Sequence, residues 1–136
     1  MKRYNNIQAR SDKNMIVCCG ATGAFYSACL ALLNLGDEVI IFEPYYGYHI
    51  NTFLAVGAKP VFVRLIPPDW GFDLNDLKNI ITKKTKGIMI NTPANPSGKV
   101  FSQRELEDIA DLALKHDLFV FTDEIYEYPI CDGVTG

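Results

Sequence analysis

Residues 15–43 read MIVCCGATGAFYSACLALLNLGDEVIIFE, and this stretch decides the fold class. An apolar run, Met15 to Cys19, leads through Gly20-Ala21-Thr22-Gly23-Ala24 into a segment where Phe25, Ala28, Cys29, Leu32 and Leu33 recur at helical spacing. Gly36 stands where a left-handed C-terminal cap belongs, and a second apolar run, Glu38 to Phe42, follows. Strand, helix and strand in that order make one βαβ unit. The alternation continues outward through three more short apolar runs, Pro60 to Leu65, Gly87 to Ile90 and Leu118 to Thr122. Tyr48 to Val56, closed by Gly57, reads as a second helix. Asp73 caps a third, in which Leu74, Leu77, Ile80 and Ile81 form the buried stripe. Ser102-Gln103-Arg104-Glu105 is a capping box that opens a fourth, with Leu106, Ile109, Ala110 and Ala113 on one face. The expectation is an α/β fold of five strands and four helices: three layers, with a mostly parallel sheet and crossover helices. No repeat, low-complexity tract or linker divides it, so residues 1–136 are expected to form one continuous unit.

Composition narrows the function classes. With 49% hydrophobic and 21% charged residues, the 136-residue chain has the make-up of one globular domain that buries roughly two thirds of its unfolded surface. The net charge of −3 offers no electrostatic footprint for nucleic acid or an anionic membrane surface. No apolar stretch reaches the ~20 residues of a membrane span, and Tyr4-Asn5-Asn6 stands where a signal peptide needs an apolar core. A cytoplasmic protein is expected. Cys18, Cys19, Cys29 and Cys131 include no C-x-x-C pair and read as reduced, buried packing residues; no metal site is expected. Lys83, Lys84 and Lys86 read as a solvated helix terminus, Trp70 as a loop-packing anchor, and His49 and His116 as surface or structural residues, not bases.

In open α/β sheets ligands bind beyond the carboxyl ends of the strands, so chemistry is sought just after each apolar run. The G-A-T-G-A turn lets backbone N–H groups and the Thr22 hydroxyl converge at a helix N-terminus, a geometry that suits phosphate, although such glycines also serve plain tight turns. Together with Glu43 it resembles a dinucleotide fingerprint, in particular that of the extended short-chain dehydrogenases and sugar-nucleotide epimerases. Two features oppose that reading: Tyr26 occupies the third glycine's place, and no Y-x-x-x-K is present. In Asn91-Thr92-Pro93-Ala94-Asn95-Pro96-Ser97-Gly98 the prolines fix an irregular loop, and Asn95 is placed to donate into the cleft. In Asp123-Glu124-Ile125-Tyr126 an anion and a phenol suit opposite edges of a flat heteroaromatic ligand.

Taken together and in order, G-A-T-G-A, P-Y-Y-G-Y, N-P-S-G and D-E-I-Y resemble the large domain of the class I/II aminotransferases, the fold-type-I enzymes dependent on pyridoxal 5'-phosphate. The resemblance runs from about Val17 to Tyr128. It implies that Ala21 and Thr22 contact the cofactor phosphate and that Tyr46 stacks on the pyridine ring. It further implies that Asn95 and Tyr126 hydrogen-bond the phenolate oxygen and that Asp123 pairs with the pyridinium nitrogen. The reaction implied is transfer of an amino group from an amino acid to a 2-oxo acid, by a protein that is a homodimer at full length; carbon-sulfur lyases of the same fold family share these motifs.

The family also uses a lysine, several tens of residues past its D-x-x-Y motif, to form an imine with the cofactor, and arginines for phosphate and substrate carboxylate. No lysine or arginine follows Asp123, and Lys99 does not match the family's lysine and reads as a loop-surface residue. The expectation is therefore a partial large domain carrying most of the cofactor cradle, with no catalytic residue of its own and no activity alone. A NAD- or nucleotide-sugar-binding domain and a non-catalytic remnant are the competing readings.

Overall fold

The computed structural model describes residues 8–10 and 12–126. Four parallel strands form one sheet in the order β2-β1-β3-β4. They are β1 (Glu38–Glu43), β2 (Lys59–Arg64), β3 (Thr85–Asn91) and β4 (Phe119–Asp123), alternating with helices α1 (Gly20–Leu32), α2 (Gly47–Ala55), α3 (Leu74–Asn79) and α4 (Gln103–His116). The side-chain alternation of each strand divides the core in two. Ile40, Phe42, Ile88 and Ile90 face Leu77, Ile109 and Leu112 of α3 and α4, whereas Val39, Ile41, Met89 and Phe121 face Cys29 and Phe53 of α1 and α2. The expected three layers are the result: helices cover both faces, and the central strand β1 is buried from Val39 to Phe42.

Local chemistry sets the starts of α3 and α4 and the close of α2 where the sequence placed them. The Asp73 carboxylate accepts the Asn75 N–H at 2.7 Å, and Ser102 and Glu105 complete the reciprocal capping box. Gly57, at φ +78°, ends the turn after α2, where a Cβ would lie 2.6 Å from Leu35 Cδ1. The Trp70 side chain packs against the core on the α3–α4 face. Lys83, Lys84 and Lys86 are exposed but do not form the expected helix terminus: α3 already ends at Asn79, Lys83 and Lys84 stand in the turn before β3, and Lys86 lies within β3. No helix among the described residues is long and apolar enough to cross a membrane.

Three further expectations are corrected. Met15 to Cys19 forms no strand: Ile16 and Val17 are 88% and 96% exposed, and these residues pair with no strand among the described residues. A parallel strand is stable only with a neighbour on its hydrogen-bonding edge and cover on its faces, and the run's apolar character alone supplies neither. Gly36 does not cap α1, which ends at Leu32 on an extended Leu33; its φ of +86° serves the following turn, whose N–H reaches the Gly57 carbonyl at 2.8 Å. Of the cysteines, Cys29 is fully buried, with its thiol pushed up to about 11 by desolvation, but Cys18 is half-buried and Cys19 exposed, since both precede the helix that would shield them. Cys131 lies outside the described residues.

Gly87 marks the tightest strand contact, because a Cβ there would meet Phe121 Cε2 at 2.9 Å and the Phe119 carbonyl oxygen at 3.4 Å. Gly87→Ala is expected to destabilise the chain by about 1–3 kcal/mol through overpacking, against the usual gain of replacing a strand glycine. Urea unfolding checks this; a variant as stable as the wild type would contradict the β3–β4 packing.

Candidate functional site

The carboxyl ends of β1, β3 and β4 and the start of α1 open on one side of the sheet, and there a cavity of about 90 Å³ lies. Ala21, Thr22, Tyr46, Asn95, Asp123 and Tyr126, the six residues singled out from the sequence, all line it. They come from four separate segments. What joins them is the parallel register: Asn91, the last residue of β3, lies opposite Asp123, the last of β4, so the loop after one strand and the acid ending the next share an edge.

Asp123 is held from two sides. Its Oδ1 accepts the Ile125 N–H at 3.2 Å, and its Oδ2 lies 3.0 Å from His49 Nε2. The His49 side chain is 5% exposed and that of Asp123 24%, so the histidine stands behind the carboxylate and the carboxylate faces the cavity. An ionised carboxylate has only lone pairs to offer, so Nε2 must carry the hydrogen in this pair. Phe25 and Tyr46 enclose the imidazole edge-on, with ring centroids 5.2 Å and 5.5 Å away. The expectation of a surface or structural histidine resolves to the structural alternative, with a direct tie to the site that the sequence reading missed. The available signal was positional: His49 sits in the first turn of α2, directly beyond β1, hence on the edge where Asp123 ends β4.

Tyr46 is the residue preceding α2, held with extended backbone, and it is 36% exposed. One face of its ring stacks on Tyr48, at 5.4 Å and 27°, which leaves the remaining surface for the cavity. The first turn of α1, which begins at Gly20, also lines the cavity; its N-cap residue Cys19 provides no side-chain cap and the turn carries no acidic residue. The first-turn N–H groups of Ala21 and Thr22 have no partner within an α-helix, so an anion there meets free donors and the positive end of the helix dipole. Added Cβ atoms at Gly20 and Gly23 would meet nothing within 4 Å, so the space over this turn is open. These features fit a flat, phosphate-bearing heteroaromatic cofactor: free N–H donors, an aromatic face and a buttressed anion line one cavity.

Lys99 stands elsewhere. It is 8% exposed, not on the loop surface, and its Nζ lies 2.7 and 2.9 Å from the two carboxylate oxygens of Glu105. The capping-box glutamate thus has a second task, locking the N-P-S-G loop onto α4. Lys99 and Glu105 are only six residues apart, but the loop's reversal that joins them has no periodic signature in sequence. Among the described residues no cluster of His, Cys, Asp or Glu has the makings of a metal site, and Glu43, the acid of the dinucleotide reading, is absent from the cavity lining.

Fold and site together define a parallel α/β layer with polar groups gathered at the carboxyl edge of its sheet. The family model for aminotransferase class I and II matches residues 1–130, and the chain belongs to that family. It is 39% identical over 135 residues to an aspartate aminotransferase of Pyrococcus abyssi, covering 98% of this chain and 35% of the relative. To kynurenine–oxoglutarate transaminase 1 of Mus musculus it is 42% identical over 132 residues, covering 89% and 31%. The structure of an alanine aminotransferase from Pyrococcus furiosus superposes with a TM-score of 0.92 at 32% identity, over 98% of this chain and 34% of that one. The chain spans about a third of the length of these relatives.

The Lys99–Glu105 pair gives a pH prediction. Burial pushes the Glu105 carboxyl up, but hydrogen bonds from Lys99 and from the Ser102 N–H and hydroxyl more than offset it, and the net direction is downward from 4.5. A lowered folded-state value stabilises in full above the unfolded value and is lost as pH falls through the folded one. Glu105→Gln keeps the capping-box geometry and removes the charge. The wild type's advantage over Glu105→Gln in urea melts is expected to be constant near neutrality and to shrink as pH drops below 4.5; a gap independent of pH would contradict the pair.

Proposed function

We propose that this chain forms the cofactor cradle of a pyridoxal 5'-phosphate-dependent aminotransferase. The reaction proposed is transfer of an amino group from an amino acid to a 2-oxo acid. The observation that carries the reading is the convergence of Ala21, Thr22, Tyr46, Asn95, Asp123 and Tyr126 on one cavity, with Asp123 buttressed by His49. Residues 1–136 are read as part of a large domain, and a homodimeric, cytoplasmic protein belongs to the same proposal. No described residue is assigned as catalytic base or nucleophile, since Lys99 is engaged with Glu105.

Bound here, pyridoxal phosphate supplies an electron sink that stabilises the carbanion left when a substrate's alpha proton departs. Asp123 serves that chemistry by holding a proton on the ring nitrogen. His49 and the Ile125 N–H fix the carboxylate's orientation, so little reorganisation is needed. Asn95 and Tyr126 would hold the cofactor's phenolate oxygen and draw electron density from it, while Tyr46 would offer a flat apolar face that limits ring motion. The Ala21 and Thr22 N–H groups and the Thr22 hydroxyl would hold the phosphate. Among the described residues no lysine or arginine lines the cavity, so these neutral donors would carry only part of the dianion's charge.

Pyridoxal phosphate, but not NAD, is expected to raise the thermal midpoint of the chain, since a ligand at 100 times its Kd adds about 2.7 kcal/mol. Asp123→Ala is expected to weaken that binding about tenfold to a hundredfold, the scale of a lost hydrogen bond to a charged group. Protection by NAD alone, or equal binding by the variant, would overturn the proposal.

A further inference from the structure

Asn91 carries a carboxamide whose two ends are both committed to backbone. Its Nδ2 donates to the Asp123 carbonyl at 3.0 Å, and its Oδ1 accepts the Asn95 N–H at 2.9 Å. One partner can only accept and the other can only donate, so a single orientation of the amide satisfies both. An aspartate in its place would keep the acceptor and lose the donor. The Asp123 carbonyl takes a second hydrogen bond from the Thr92 N–H at 3.2 Å, which seats the start of the loop on the end of β4. Within the loop, Gly98 N–H to Ala94 carbonyl and Ala94 N–H to Lys99 carbonyl, at 2.7 and 2.8 Å, close the chain on itself. The Asn91–Asn95 bond is what ties this closed turn back to the strand beside Asp123.

We propose that Asn91 is a positioning residue that sets the spacing between the Asp123 carboxylate and the Asn95 side chain across the cavity. The proposal rests on the reading of that cavity as a pyridoxal phosphate site. A rigid ring touched by Asp123 at its nitrogen and by Asn95 at its phenolate oxygen needs both groups at a fixed separation. A side chain that bonds to the backbone of both residues is the shortest means of fixing it. His49 orients the Asp123 carboxylate; Asn91 places the loop relative to it.

The whole 136-residue chain is used for the test, with two readouts. In the cofactor-free chain, Asn91→Ala is expected to accelerate amide hydrogen exchange at Asn95 at least about tenfold and to leave the amides of β2 unchanged. In titrations with pyridoxal 5'-phosphate, Asn91→Ala is expected to weaken binding about tenfold in the wild-type background. In an Asn95→Ala, Asp123→Ala background it is expected to weaken binding less than about twofold, because groups acting through one another are non-additive. If Asn91→Ala does not fold, Asn91→Asp decides: the Asn95 amide stays protected while affinity falls. Unchanged exchange at Asn95 in Asn91→Ala, the same loss of affinity in both backgrounds, or undiminished affinity in Asn91→Asp would overturn the role of Asn91. A wild-type chain that does not bind pyridoxal phosphate would overturn the cofactor reading and this role with it, so the two failures are told apart.

Discussion

The parallel register of β3 against β4 is the constraint on which the site depends. Gly87 pairs with Phe119 at one end and Asn91 with Asp123 at the other, and the close approach at Gly87 leaves no room for a side chain beneath Phe121. Since side chains alternate with a period of two, a slip of β4 by one residue would turn Phe121 away from α1 and α2 and carry Asp123 off the edge it shares with Asn91. The same hydrophobic pattern that builds two half-cores therefore places an acid, an amide-bearing loop and a histidine within reach of one another. The apolar core positions the polar chemistry, although it contributes no group to it.

The site itself is organised as supports behind contacts. Asp123 faces the cavity with His49 behind it, and His49 is in turn held edge-on by Phe25 and Tyr46. The loop carrying Asn95 is pinned on one side by Asn91 and on the other by Lys99, whose partner Glu105 also caps α4. Asp123 and Asn95 thus each owe their place to a residue on a different element. That arrangement suits a rigid aromatic ligand, because small shifts in the supports degrade several contacts at once.

Most of this fold was legible because it is locally specified. The strand cores, the Asp73 and Ser102 caps and the glycine after α2 depend on residues a few positions apart, and they appear within a residue or two of where the sequence puts them. Asn95, Asp123 and Tyr126 were legible just past apolar runs that do form strands, while Ala21, Thr22 and Tyr46 were legible through the motifs that carry the family resemblance. What was not legible depends on partners distant in the chain or on solvent cover. Met15 to Cys19 has a strand's composition, but pairing is a property of neighbours and not of the run itself. His49 is recognisable as buried only once Asp123, 74 residues away, is known to share its edge. Lys99 reads as a solvated loop lysine until the loop's reversal brings it to Glu105.

The central claim is that Asp123, braced by His49, keeps a proton on the nitrogen of a bound pyridine ring. The most direct test is the 15N chemical shift of ring-labelled pyridoxal phosphate bound to the chain, at a pH where the free cofactor's ring nitrogen is unprotonated. The account predicts a protonated nitrogen with the wild type and an unprotonated one with Asp123→Ala. The same unprotonated shift in both would contradict it.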